Sequence, residues 1–366
     1  MALPPPAAGS DAAYDTVATD TARVLAGLEP APGPLFDRIT SRLAWQVHRA
    51  RLDSDWSRFE IDRVAKMRGW RERELKAATG RCDTLFYPFG GPDFVNAFVL
   101  FPHCDQYLLF GLEPVGSIPP LTRSTDERFD AVLERLRDSL SDLFVRDYFI
   151  TNSMMQHLRT PEIDGTLPLM LVFIARFGGR VVEVRMGSPW DEAAAGAQGG
   201  GGRPAAQPAK RAAAVTIRFR MPAHPAVQTL CYARVRMEDS EFEKQAGLLD
   251  YMDRAAPFTT FLKSASYLMH DDRFSRVRSV ILKGSQSVLE DDSGVPYRFF
   301  TKAGWEVRLY GRYSPPVKDF NYGLQRDLEA AYRETPAARA LPFTFGYHWR
   351  EGESSVILAV RRGEAQ

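Results

Sequence analysis

The sequence has few cysteines, and their spacing matches no common metal site. Only three of its 366 residues are cysteine, Cys82, Cys104 and Cys231, and none forms a CxxC pair. This spacing argues against a zinc site, and each cysteine adjoins strand-like sequence, where a thiol usually packs as a small hydrophobe. One disulfide is compatible with the sequence, but no spacing indicates a particular pair.

An excess of charge of either sign is also absent. The chain has 47 Lys and Arg residues against 46 Asp and Glu residues, for a formal charge of +1. Binding to a phosphate backbone draws mainly on a positive field, which this balance does not supply. We therefore expect no nucleic-acid partner.

Long apolar runs are missing as well. A helix needs about 20 apolar residues to span a bilayer, and the nearest run, residues 165–179, contains Pro168 and Arg176. Residues 1–22 have neither a basic n-region nor an apolar h-region, which argues against a signal or transit peptide. We expect a soluble protein with no membrane span, cytoplasmic as the chain stands, with export after signal removal as the alternative.

Composition divides the chain into four segments. Residues 1–33, rich in Pro, Ala and Gly, predict a flexible tail. Residues 34–187 predict a helical segment followed by a first α/β half, and residues 188–214, almost all small or polar, predict a low-complexity linker loop. Residues 215–366 predict a second α/β half that ends in a β-hairpin. The similar order of elements in the two halves suggests an internal duplication.

The hydrophobic pattern predicts an α/β fold of mixed sheets covered by helices, with a single irregular α+β domain as the alternative. The runs that begin at Asp83, Asn96 and Gln106 are short, aromatic and bounded by Gly or Pro, and they predict three strands in a meander. Residues 125–145 predict an amphipathic helix. Residues 343–362 predict two strands joined by a turn, which is the terminal hairpin.

The acidic stretch Glu290-Asp291-Asp292 precedes Ser293 and Gly294, and the segment looks like the signature around a trypsin-like nucleophile. That triad needs a histidine far upstream in an all-β double barrel, whereas the nearest upstream histidine here is His270, across a predicted helix, and the flanking pattern is not all-β. A tight turn is one interpretation. The other is a site at the carboxyl end of a strand, where α/β sheets place their sites, with the carboxylates as a general base, a metal ligand or acceptors for a polar ligand.

A second polar stretch contains Lys263, Ser264, Ser266, Tyr267 and His270 within eight residues. On a helix, four of these residues would lie along one face and could surround a pocket. The alternative is a helix end with a solvated polar face.

The turn Gly90-Gly91-Pro92-Asp93 is a third candidate. A lone Gly-Gly before a predicted strand is not a dinucleotide fingerprint, so Asp93 and Asn96 either face a ligand or hold the turn. The six histidines include no HxH or HExxH pair, and we predict no metal site. The sequence indicates no particular cofactor or oligomeric state.

The stretches LFYPFGGPDF, TFLKSASYLMH and DDSGVPYRFF, together with LYGRY and FGYHWR, resemble a family of uncharacterised bacterial proteins that carry these motifs in this order. The resemblance covers roughly residues 83–350. Members of that family are often exported behind a lipoprotein-type signal, which this sequence does not show. The resemblance implies no known activity, but it implies that the motif residues belong together.

Three functions follow from these patterns. The first is binding of a small molecule or glycan in a pocket between the two halves. The second is a hydrolase-type enzyme that uses an Asp/His acid–base pair, and the third is a structural or interaction protein. The candidate ligand-binding residues are Lys263, Ser264, Tyr267, Arg298, Asp93 and Asn96. The candidate catalytic residues are His270, Asp291 and Asp292.

Overall fold

Nine strands form one mixed sheet in the computed structural model, which describes residues 14–121, 125–146, 163–191, 213–302, 304–334, 339–348 and 350–362. The strands are β1 (Thr84–Tyr87), β2 (Gln106–Gly111), β3 (Arg180–Met186), β4 (Ala214–Arg220), β5 (Gln228–Arg234), β6 (Phe258–Leu262), β7 (Ser285–Glu290), β8 (Trp305–Gly311) and β9 (Ser355–Arg361). Residues 1–13 of the predicted tail and residues 192–212 of the predicted linker lie outside the described residues.

The strand order is β3-β4-β5-β2-β1-β6-β7-β9-β8. The five central strands, from β5 to β7, are parallel, whereas β3, β4, β8 and β9 pair antiparallel at the two sides. The α/β prediction with a mixed sheet is confirmed. Strands from the two predicted halves interleave, because β1 and β2 lie between β5 and β6.

Twelve helices are seen within the described ranges. They are α1 (Thr16–Leu25), α2 (Pro34–Thr40), α3 (Leu43–Phe59), α4 (Ala65–Trp70), α5 (Lys76–Thr79), α6 (Phe94–Leu100), α7 (Asp126–Arg146), α8 (Leu167–Arg176), α9 (Asp239–Phe242), α10 (Ala246–Ala255), α11 (Ser275–Gly284) and α12 (Arg326–Glu334). Two π-helical turns, Glu60–Val64 and Arg71–Leu75, join α3, α4 and α5. None of the described helices has both the length and the apolar character to cross a membrane.

The central strands are covered on both faces. All four residues of β1 are buried, as expected for a parallel strand between two helical layers. Leu85 and Tyr87 face the core that contains Phe173 of α8, and Phe86 faces the core that contains Ile281 of α11. Side chains alternate between the two faces of a strand, so helices pack on both sides of β1.

The prediction of a strand after Gly90-Gly91 is wrong. The run from Asn96 belongs to helix α6, so β1, α6 and β2 form a parallel βαβ unit rather than a meander. Asp93 begins this helix by accepting a hydrogen bond from Asn96 N at 3.2 Å. All seven residues of α6 are buried, and an apolar run without a polar face does not distinguish a short helix from a buried strand.

The predicted tail contains a packed helix. Between Thr16 and Leu25 the chain forms α1, which begins at Asp15, whose carboxylate accepts from Ala18 N at 2.9 Å. Ala18, Ala22 and Leu25 are buried against the core. The composition of residues 1–33 concealed the helical spacing of these buried residues. The flexible tail predicted there therefore does not include α1.

The predicted terminal hairpin is also wrong. Strand β9 lies between β7 and β8 and pairs antiparallel with both. Its predicted partner contributes only an isolated bridge between Phe345 and His348 in the described part of the chain. The first five residues of β9 are buried, because an inner strand packs on both faces.

Two of the three cysteines are paired. Cys82 and Cys104 form a disulfide where the chain enters β1 and β2, with a Cα–Cα distance of 4.6 Å. Cys231 is a buried free thiol on β5, and burial raises its pKa to about 12. The disulfide therefore ties two neighbouring strands at their amino ends, away from the carboxyl ends at which the candidate site lies.

Candidate functional site

The carboxyl ends of the five parallel strands lie along one edge of the sheet. From β1 the chain crosses to β2 on one side, while β6 and β7 lie on the other side. The strand order therefore reverses at the boundary between β1 and β6. In α/β sheets, ligands bind in the crevice outside the carboxyl ends at such a position.

A cleft of about 860 Å³ opens at this edge. Its walls come from residues 87–93, 110–113, 235–238, 263–274 and 317–320, together with Tyr347. These segments lie on both sides of the predicted linker, and the first four of them follow or end β1, β2, β5 and β6. More than half of the wall is apolar, and charged side chains, serines and tyrosines supply the rest.

Asp93 and Lys263 form a buried ion pair at the cleft. Asp93 Oδ2 accepts hydrogen bonds from Lys263 Nζ at 3.2 Å and from Tyr87 Oη at 3.0 Å, and Oδ1 accepts from Asn96 Nδ2 at 2.9 Å. Asp93 is 3% exposed and Lys263 is 2% exposed. A buried charge needs such a partner, because desolvating it alone costs several kcal/mol. Asp93 therefore begins helix α6 and also holds the lysine.

The loop that follows β6 has an unusual backbone. Ser264, Ser266 and Tyr267 have φ angles of 55°, 55° and 54°, in the left-handed region that non-glycine residues rarely adopt. The segment from Lys263 to His270 is therefore not the predicted helix with one polar face. Strained residues of this kind cost of order 1 kcal/mol or more each and cluster at binding and active sites.

The acidic turn after β7 holds this strained loop. Asp291 Oδ2 accepts from Ser264 N at 3.0 Å, and Ser293 Oγ accepts from Ala265 N at 2.7 Å. Ser293 Oγ in turn donates to Asp291 Oδ1 at 2.5 Å. Tyr267 N donates to the Ser293 carbonyl oxygen at 3.2 Å. Ser293 is fully buried in the turn, which favours the tight-turn interpretation over a nucleophile.

Burial raises the pKa of each carboxylate in this turn. The pKa of Asp292 rises to about 7, through burial first and then through its neighbour Asp291. Burial also raises the pKa of Asp291, and it raises that of Glu290 well above the ordinary range. Asp292 Oδ2 accepts from Tyr267 Oη at 2.6 Å, and Glu290 Oε2 accepts from Val295 N at 2.8 Å. All of these donors are neutral.

His270 and Arg298 lie apart from the cleft wall. Burial, and then the charges of Arg298 and Arg278, lower the pKa of His270 to about 4. Among the described residues no hydrogen bond joins His270 to the carboxylate of Asp291 or Asp292; its ring faces the backbone of Asp292 and lies with its centre 5.2 Å from that of the Tyr267 ring. Arg298 is exposed, with its guanidinium carbon 5.0 Å from the centre of the Phe299 ring.

The predicted site residues therefore divide into three groups. Asp93, Lys263 and Ser264 line the cleft. Asn96, Tyr267, Asp291 and Asp292 lie behind the lining: Asn96 and Asp291 bind it through hydrogen bonds to Asp93 and Ser264, and Tyr267 and Asp292 are bonded to each other. His270 and Arg298 do neither. The three sequence stretches that carry Asp93, Lys263 and Asp291 meet at this edge.

Two cleft residues were not singled out from the sequence. Tyr87 ends β1 and donates to Asp93, and Glu113 follows β2 and is 3% exposed. Glu113 stands two residues beyond the end of a strand, in the same relation to β2 that Asp292 has to β7. The place of Glu113 just after a strand was the signal that the sequence offered. The predicted meander concealed this signal, because only parallel strands bring their carboxyl ends to the same edge of a sheet.

In the described ranges, no group of three or more His, Cys, Asp or Glu side chains is arranged to hold a metal ion. No family model matches the chain, and no curated protein sequence matches it. The functional argument therefore depends on the geometry and charge of the cleft.

Proposed function

We propose that the protein binds a small organic molecule in the cleft at the carboxyl edge of the sheet. The observation that carries this proposal is the buried Asp93–Lys263 pair in the wall of that cleft, beside the reversal of strand order. A contribution to stability does not by itself explain such a pair, because packed apolar side chains often replace a buried ion pair without loss of stability.

The size and lining of the cleft support the same proposal. Pockets for small molecules are typically about 300–1,000 Å³, mostly apolar, with a few polar groups that fix orientation, and the volume of about 860 Å³ lies in that range. Phe89, Phe110 and Phe320 contribute aromatic surface to the lining. Such surface suits a compact ligand, including a single sugar ring, because ring faces stack on aromatic side chains.

A thermal-shift screen of small molecules and sugars tests the proposal, since a ligand that binds only the folded state raises the melting temperature. Leu112 and Leu324 provide a matched pair of variants. Both are exposed, but only Leu112 lines the cleft. Leu112→Trp should abolish the shift by filling the cleft, and Leu324→Trp should retain it. A ligand that still stabilises Leu112→Trp, or a screen in which nothing stabilises the wild type, would contradict the proposal.

We also propose that the protein works in an oxidising compartment, which is the exported alternative. The Cys82–Cys104 disulfide supports this location, because such bonds persist mainly outside the cytosol. Thiol labelling of the protein taken directly from its cells should modify neither cysteine before reduction. Labelling of both without reductant would overturn this location.

A further inference from the structure

Glu113 is a buried carboxylate with one oxygen left for a ligand. Its Oε2 accepts hydrogen bonds from Leu112 N at 3.1 Å and from Tyr232 Oη at 3.2 Å. Its Oε1 has no hydrogen-bond partner among the described residues, and the side chain lines the cleft although it is only 3% exposed. Half of the carboxylate is therefore fixed by the protein, and the other half is not.

No cation of the described chain neutralises Glu113. No Lys, Arg or His in the described ranges lies within ion-pair distance of it, whereas Lys263 matches the nearby Asp93. Burying a charge without a partner is costly. A ligand that brings a positive charge would remove this cost, and the binding free energy would include that gain.

Two glycines make room for this carboxylate. A Cβ on Gly111 would lie 2.5 Å from Glu113 Oε2, and a Cβ on Gly91, which has a φ of +56°, would lie 3.3 Å from it. Gly91 N also donates to the Phe110 carbonyl oxygen at 3.0 Å, which holds the two glycine segments together. The loop after β1 and the end of β2 are thus both built around the Glu113 side chain.

The rest of the cleft lining also suits a ligand that is positively charged and partly apolar. Among the described residues its lining contains four carboxylates and only two cationic side chains, and one of those cations is already bound to Asp93. Phe110, Val235 and Met237 supply apolar wall in the segments next to Glu113. Aromatic faces also attract cations.

We infer that the ligand is an organic amine or guanidine, whose cationic nitrogen donates to Glu113 Oε1 while its apolar body packs against the aromatic and aliphatic wall. This inference rests on the proposed function, because it names the ligand class of the same cleft.

Glu113→Gln is the informative variant. Glutamine keeps the oxygen that accepts from Leu112 N and Tyr232 Oη, so the local fold is preserved, but it removes the charge. Glu243→Gln is the matched control, because Glu243 is exposed, outside the cleft lining, and loses the same charge.

The probes are phenethylamine, tryptamine, hexylamine and agmatine, each beside the alcohol or carboxylate of matched size, titrated calorimetrically into the full chain. We expect at least one amine to bind the wild type and Glu243→Gln, with its dissociation constant raised roughly 10- to 100-fold in Glu113→Gln. The matched alcohols and carboxylates should bind more weakly than the amines.

Equal binding of the amine to Glu113→Gln would overturn the inference, as would a cleft ligand without a cationic nitrogen or a panel in which no amine binds. In these cases the proposed function stands if another compound of the thermal-shift screen stabilises the wild type but not Leu112→Trp. If no compound does so, both fail.

Discussion

One group of buried carboxylates follows β1 and a second group follows β7, and the two groups accept hydrogen bonds from different kinds of donor. Asp93, beside the cleft, accepts from the cation of Lys263. Asp291 and Asp292, on the far side of β6, accept only from neutral hydroxyl and backbone donors in the described part of the chain. The first group keeps a fixed charge pair in the cleft wall. The second has raised pKa values and acts as a support, because its hydrogen bonds hold the strained loop that carries Lys263 and Ser264.

Breaking the ion pair should have the largest effect. Asp93→Asn removes the charged partner that Lys263 Nζ contacts at 3.2 Å and should lower the free energy of unfolding by about 3–5 kcal/mol. The double variant Asp93→Asn/Lys263→Met should lose less stability than the sum of the two single variants, because it removes both charges of the pair together. Urea denaturation measures all three. Strictly additive losses would show that the two side chains do not act as a pair.

Asp292→Asn should change the pH dependence of stability. Because the pKa of Asp292 is raised, its contribution to stability is fully present below the ordinary value of 3.8 and is lost as the pH rises toward about 7. Asparagine does not ionise, so the variant should lose less stability than the wild type between pH 4 and pH 8. Across that range the wild type should lose about 4 kcal/mol more than the variant, since the pKa is raised by about three units and each unit corresponds to about 1.4 kcal/mol.

Chemical denaturation at several pH values checks this expectation. Asp250→Asn is the control, because Asp250 is exposed and its replacement should leave the pH profile of the wild type. If Asp292→Asn and Asp250→Asn give the same profile, the supporting turn does not hold a proton near neutral pH. The contrast with Asp93 would then be lost.

Relieving the strain of the loop should have the smallest effect and the opposite sign. Ser264 has a φ of 55° and a buried Oγ without a partner among the described residues. Ser264→Gly should therefore raise the free energy of unfolding by about 1 kcal/mol. Ser279→Gly in helix α11 should instead lower it by about 0.5–1 kcal/mol. Thermal unfolding compares them, and a loss of stability in both would mean that the loop is not strained.

The sequence predicted much of the sheet but not the connections that build the site. Short buried runs indicated β1 and β2, and the position of Asp291 at the end of a strand was recognised. The helix α6 between β1 and β2 was missed, because its residues are all buried and show no polar face. The pairing of Asp93 with Lys263 joins residues 170 positions apart, and no local pattern contains such a contact. Glu113 was missed because its place at the cleft depends on the parallel pairing of β1 and β2, which the predicted meander did not contain.

The interleaved strand order also has a consequence for biosynthesis. Strand β1 pairs with β6 on the side away from β2. The ribosome makes β6 only after all the residues between the end of β2 and Phe258. At about 5–20 residues per second, that interval lasts roughly 7–30 s. During this time the emerging chain cannot complete its central sheet, and the apolar strand β1 stays exposed to other chains. We expect the newly made protein to depend on chaperones in this window, and fragments that end before β6 to aggregate.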